Sequence, residues 1–213
     1  MIRFIYYIAF VLLSFVPKLI TAQSTDKYDQ GMTKAFELWE SGKHMEAANV
    51  FERISNVEKE NWVPYYYVAY INAMYSFNEK NEEKLSLQLD KAREFVEKAY
   101  EIAPDNVELI VLDATINTAW IAFDGQKYGM NLSGKNTELY KKALELAPEN
   151  PRVVLSKAEW DMGSARFFGQ DTSPFCKDVE RSLELFVNFK EEIKFYPQWG
   201  EDRARQVLKS CKS

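Results

Sequence analysis

The residues able to do chemistry in this chain are few, and their spacing does not combine them. There is one histidine, His44, and two cysteines, Cys176 and Cys211, among 213 residues. No second element in the sequence points at His44, so a Ser-His-Asp arrangement has no footing. Two cysteines and one histidine at long range also lack the short ligand spacing of a zinc site. Gly125, Gly129 and Gly134, followed by Lys135 and Asn136, evoke a phosphate loop. They miss the G-x-x-x-x-G-K-[ST] spacing, and no strand precedes them. The 32 acidic residues read as the solvated faces of helices. The sequence therefore predicts no enzyme, no cofactor and no metal. Asn131-Leu132-Ser133 is a glycosylation sequon that matters only in a glycosylating host.

Binding chemistry is better represented. Residues 62–70 read WVPYYYVAY, and Trp120, Tyr128, Trp160, Phe167 and Phe168 follow. Large rigid rings of this kind dominate binding hot spots. At helical spacing, however, most aromatic residues fill the core between helices, because each buries a large area. The five candidate binding residues are Trp120, Tyr128, Trp160, Phe167 and Phe168.

The chain begins with one positive charge, Arg3, then thirteen uncharged and mostly apolar residues, 4–16. A small-residue exit, Thr21-Ala22-Gln23, completes the layout of a secretory signal peptide, 1–22, cut after Ala22. The rival reading is a retained anchor, but Lys18 interrupts the run before the roughly 20 apolar residues that a bilayer requires. No cysteine precedes Cys176, so lipid attachment near the cut is excluded. With 27 basic and 32 acidic residues the chain carries −5, and losing Arg3 and Lys18 makes it −7. Such a balance argues against nucleic acid and against docking on anionic lipid. No segment after residue 23 is apolar enough to insert in a membrane, which places the mature chain in the periplasm or outside the cell. Export would let a Cys176–Cys211 disulfide persist. A bridge and two separate thiols both fit the sequence.

Elements able to position these residues are helical throughout. Residues 94–106 read EFVEKAYEIAPDN, and 44 positions later 138–150 read ELYKKALELAPEN. Self-similarity at a fixed period marks stacked copies of one supersecondary unit. Helices are predicted in pairs at 26–40 and 43–55, 62–77 and 82–103, 107–123 and 136–147, 152–168 and 174–190. A last helix follows at 199–212. Leu109, Leu112, Ile116, Ala119 and Phe123 lay an apolar stripe along one of them. Glu94 with Lys98, and Glu138 with Lys142, are i,i+4 pairs. Pro104 and Pro148 end helices, and Asn106 and Asn150 stand ready to cap the next ones.

On these residues the chain resembles a tetratricopeptide repeat protein of exported bacterial type. Ala99 and Ala143 match the small position of helix B in that family, and Ala114 and Ala158 that of helix A. Gly42, Ala47 and Phe51 match the glycine, alanine and aromatic positions of the first repeat, with His44 where a tyrosine is usual. The resemblance implies an all-α, right-handed superhelical stack of helix–turn–helix repeats at about 26–60, 61–105, 106–150 and 151–190. A capping helix at 198–212 would close the single domain, 23–213. Departures are the 44-residue period against about 34, a lost proline in repeat four, and Asp113 and Lys157 where a buried leucine is usual.

In that family the A helices line a groove that receives a peptide or a partner helix. The corresponding positions here are Glu108, Val111, Leu112 and Thr115, then Arg152, Leu155, Ser156 and Glu159. One basic residue among eight makes no carboxylate clamp. The connections 124–135 and 169–173, with the turn at 78–81, are expected to be loops clustered on one edge. The resulting expectation is an interaction scaffold that binds a protein segment of unknown identity through the A-helix groove and this loop edge. The alternative is a carrier of a small envelope component in an aromatic cleft beside Tyr128 and Phe168.

Overall fold

The structure, a computed structural model, describes residues 16–211, with side chains from Asp26 onward. The signal-peptide expectation falls mostly on residues 1–15, outside the described ones. The described residues include helices and no strand, and form two compact units that divide between Lys59 and Glu60. None of the described helices is long and apolar enough to cross a membrane.

The first unit holds α1 (Val16–Glu40) and α2 (His44–Ser55). α1 starts ten residues ahead of the predicted Asp26. The chain reverses at Gly42, whose φ of 82° is readily adopted only without a Cβ. Lys43 N–H bonds to Leu38 O and Gly42 N–H to Trp39 O, both at 2.9 Å. That is a Schellman closure of the helix end. Phe36 then meets Phe51 edge-on with ring centroids 5.2 Å apart.

The second unit holds three hairpins and a closing helix. They are α3 (Trp62–Ser76) with α4 (Glu82–Ile102), α5 (Val107–Phe123) with α6 (Gly125–Leu146), and α7 (Pro151–Phe167) with α8 (Cys176–Asn188). A 3-10 turn, Ser173–Phe175, leads into α8, and α9 (Glu201–Cys211) packs on α8. Successive hairpins stack, α5 lying against α3, α4 and α7 as well as its own partner α6. α5 is accordingly buried nearly all round rather than along one stripe. Ile110, Val111 and Ala114 are as enclosed as Leu109, Leu112 and Ile116.

The repeated phrase folds into a repeated joint. Ala103 and Ala147 leave their helices at φ −138°, ψ 73° and φ −143°, ψ 72°. Asn106 and Asn150 then accept backbone N–H bonds from Glu108 and from Arg152 and Val153. Each such cap contributes about 1 kcal/mol. Ala99, Ala143, Ala114 and Ala158, the expected small positions, are all buried.

Two expectations need correction. Residues 125–135 are not a loop. Asp124 alone connects α5 to α6, and its carboxylate caps α6 by accepting from Gln126 N at 3.1 Å and Lys127 N at 3.0 Å. The long period is therefore spent in a long B helix of 22 residues. The ion pair of Lys142 is with Asp105, at 3.2 Å, where Glu138 was predicted.

Cys176 and Cys211 are joined by a disulfide, Cα to Cα 6.0 Å, which ties α9 to the start of α8. Between these helices the chain crosses back as an irregular strap, 189–200. Gly200 ends it at φ 120°, where a Cβ would stand 2.5 Å from Phe186 Cζ.

Candidate functional site

Two surfaces of the second unit merit comparison, and the first is already full. The strap lies against α3, α5 and α7, the helices predicted to line a peptide groove. Its Tyr196 donates from Oη to Glu108 Oε1 at 3.0 Å. Trp199 donates from Nε1 to Tyr66 Oη at 2.7 Å, and Tyr67 Oη donates to Phe195 O at 3.0 Å. Beneath them Arg152 Nε reaches both oxygens of Glu108 at 2.9 Å, and Asn150 Nδ2 reaches Oε1 at 2.8 Å. The Arg152 guanidinium also faces the rings of Phe189 and Tyr196, about 5 Å from each centroid. Both charged side chains are out of water, 2% exposed for Arg152 and 0% for Glu108. Desolvation of that order is offset by the pairing and by the carboxylate's further hydrogen bonds, while Arg152 Nη2 is buried without a hydrogen-bond partner among the described residues. This face thus receives a segment of its own chain, where a partner's segment was expected. Burial and the Glu108 charge together hold Tyr66 protonated well above its ordinary value and push Tyr70 up to about 12.

The second surface is open. α4 and α6 stand on either side of α5, and between them runs a groove of about 1060 Å³. Its floor is α5, with Asp113, Asn117 and Trp120; α4 contributes Arg93. α6 contributes Tyr128, Leu132, Lys135, Leu139 and Lys142. Steps of three and four put those five on one helix face. Asp113 sits where the repeat resemblance wants a buried leucine, and it opens the floor instead of filling it. Arg93 pairs with Asp113 and donates from Nη2 to Asn117 Oδ1 at 2.8 Å. Burial, reinforced by the Asp113 charge, pushes the Tyr100 hydroxyl up.

Trp120 and Tyr128 come together over this floor, ring centroids 4.7 Å apart. Tyr128 Oη donates to Glu82 at the start of α4, and Lys127 pairs with the same carboxylate. Those bonds hold Glu82 below the usual carboxylate range and raise Tyr128 and Lys127. Glu82 therefore links the two walls at one end of the groove. Of its cations, Arg93 is matched by Asp113 and Lys142 by Asp105. Lys135 has no acid partner among the described residues.

The other candidate residues are placed differently. Trp160 packs on the α5–α6–α7 core beside Tyr140, with centroids 6.2 Å apart. Phe167 and Phe168 stand at the end of α7, each 71% exposed and edge-on at 5.1 Å. Phe167 lies against Gly125, one turn of α6 from Tyr128. A smaller cavity of about 210 Å³ between α7 and α9 includes Arg166 and the Glu159–Arg203 pair. His44 opens α2 in the first unit. No group of three or more potential metal ligands occurs among the described residues.

Sequence reasoning found Trp120 and Tyr128 but missed Asp113, Arg93 and Lys135 as groove residues. The signal for Asp113 was its place in the repeat. Lys135 offered none, since its register depended on knowing that 125–135 is helical.

The fold and the groove together define a class, an all-α stack of helical hairpins with a ligand-sized cleft on one side. Among solved structures, the HusA haemophore from Porphyromonas gingivalis is similar in fold, with a TM-score of 0.76. The likeness covers 87% of this chain and 92% of that one at 24% sequence identity. No protein-family model matches this sequence, and no curated protein matches it either.

Proposed function

We propose that this chain is an exported, non-catalytic carrier for a flat, largely apolar molecule bearing acidic groups, with haem as the leading instance. Its scaffold is read as divergent tetratricopeptide-like repeats. The observation that carries the proposal is the groove between α4 and α6. There the Trp120–Tyr128 ring pair lies on the same side as Leu132 and Leu139, with Lys135 unmatched beside them. Its volume stands at the upper end of the range for small-molecule sites, about 300–1,000 Å³, and its apolar surface is rimmed by charged and amide side chains, Glu138 among them. Ring stacking adds about 0.5–1.5 kcal/mol beyond area burial, and a free ammonium supplies the match for a carboxylate. The lining contains no His, Cys or Met. Recognition then rests on the ring face and the acidic edge of the ligand rather than on a metal held by those side chains.

The fold of a haemophore supports the same reading, and the disulfide suits a compartment outside the cytosol. The competing scaffold reading is weakened, since the A-helix face is self-occupied and the longest of the three predicted loops, 124–135, is helix from Gly125 onward, although 78–81 and 169–172 are irregular as expected.

Titration of the purified chain with haemin tests the proposal, followed by the ligand's absorbance and by tryptophan fluorescence. Saturable 1:1 binding, weakened at least tenfold by Trp120→Ala, is expected. Failure of both haemin and metal-free protoporphyrin to bind would remove the carrier reading.

A further inference from the structure

The two halves of α6 are built differently. Its buried residues are Asn136, Tyr140 and Ala143, all in the second half. Residues 125–135 bury none, yet they include Gly125, Gly129 and Gly134. Nothing steric demands these glycines. A Cβ at Gly129 or Gly134 would meet no atom within 4 Å, and at Gly125 only an ordinary contact with Phe167. None of the three has a positive φ. Gly125 and Gly129, four apart, share a face and Gly134 is turned away from it, but no backbone or side chain comes within 4 Å of a Cβ at Gly129 or Gly134, so the three make no close-packing face. What remains is their effect on the helix, which each glycine weakens strongly relative to alanine. Ser133 adds to it by turning its hydroxyl back onto Gly129 O at 2.6 Å, a bond that tends to bend and loosen helices.

The weak half is tethered at its ends. Asp124 caps it, and Glu82 holds Lys127 and Tyr128. At the other end Asn136 Nδ2 donates to Ala114 O at 3.0 Å and Thr118 Oγ1 at 2.9 Å, fixing the rest of α6 to α5. Between the tethers lie Asn131, Leu132, Gly134 and Lys135, which with Tyr128 supply much of one wall of the groove. Segments with few buried apolar contacts open locally well before the whole fold does.

We infer that residues 125–135 are a movable wall of the groove, hinged at Asn136, which opens by local unfolding to admit and release the ligand. The opening rests on the helix itself; its use as an entry route rests on the carrier reading above.

Hydrogen exchange on the full ligand-free chain tests the opening. Amides of 128–135 should exchange at least tenfold faster than those of 139–146, and equal protection would overturn the inference. Gly129→Ala and Gly134→Ala restore helix propensity, and each should slow exchange in 128–135 about fivefold. An unchanged rate there would also overturn it. In stopped-flow mixing with haemin, the double variant should take up and release the ligand more slowly than the native chain. Slowed exchange with unaltered haemin kinetics would show that the wall is not the route. If haemin fails to bind the native chain, the carrier reading falls, and the exchange comparison still decides whether the wall opens.

Discussion

Glu108 and Arg152 occupy the same register of successive hairpins, 44 residues apart, and meet as a buried ion pair. The repeat period thus sets opposite charges on top of one another. Asn150 and Tyr196 complete the carboxylate's bonds, so joint, strap and pair form one network. Arg152→Leu leaves an uncompensated carboxylate in the interior and should cost about 3–5 kcal/mol. The double variant Glu108→Leu with Arg152→Leu should lose less than the sum of the single changes. Urea unfolding of all four chains measures this coupling, and strict additivity would refute it.

Breaking the Cys176–Cys211 bridge should loosen the C-terminal end without touching the groove. The bridge spans 35 residues and constrains the unfolded chain, which is worth about 2–4 kcal/mol. A Cys176→Ser, Cys211→Ser chain should melt at lower temperature and lose exchange protection in α9. Haemin titration should give the native affinity, and a parallel loss of binding would contradict this division.

Lys135→Glu should weaken haemin binding by about tenfold, the size of one lost charge-assisted contact at about 1.4 kcal/mol. The protoporphyrin dimethyl ester lacks the acid groups. It should bind the native chain and the Lys135→Glu variant alike. If the variant discriminates against the ester as well, the lysine acts on the ring or on the fold rather than on the acid.

Alkaline pH should reach a group of tyrosines late. Tyr66, Tyr100, Tyr140 and Tyr196 are all raised, each chiefly by burial, and Tyr70 is raised to about 12. A folded value above the unfolded one means the native state keeps its proton longer. The stability these groups contribute is complete below pH 10 and declines as pH rises from there through about 12. Tyrosinate absorbance should therefore show a fraction ionising only above pH 10, coincident with loss of helical signal. Full ionisation of every tyrosine near pH 10 with the fold intact would refute this.

Much of the scaffold was legible because its chemistry is local. Pro104 and Asn106, repeated as Pro148 and Asn150, spell a helix stop and a helix cap within three residues. α5 accordingly has the boundaries its sequence predicts, 107–123. Residues 125–135 were misread for an equally local reason. Three glycines, an asparagine and a serine favour a loop by propensity, and only the Asp124 cap and the tether at Asn136 override them. The strap was not legible at all, since Tyr196 finds Glu108 88 positions away with no pattern to announce it. Opposite charges at one repeat register, Glu108 with Arg152 and Asp113 with Lys157, were a signal present in the sequence and passed over. The first pair meets on the filled face; in the second the two charges part, Asp113 pairing with Arg93 on the groove floor and Lys157 with Asp161.

A strap held in the same chain acts as a permanent competitor. Tethered at both ends, by α8 before it and by α9 and the disulfide after it, 189–200 faces the A-helix surface at an effective concentration on the order of millimolar. A free peptide arriving at micromolar levels would have to bind the bare surface about a thousandfold more tightly than the strap does, merely to share it. The consequence is selectivity by occupancy: an extended chain must first displace the strap before it can use this face.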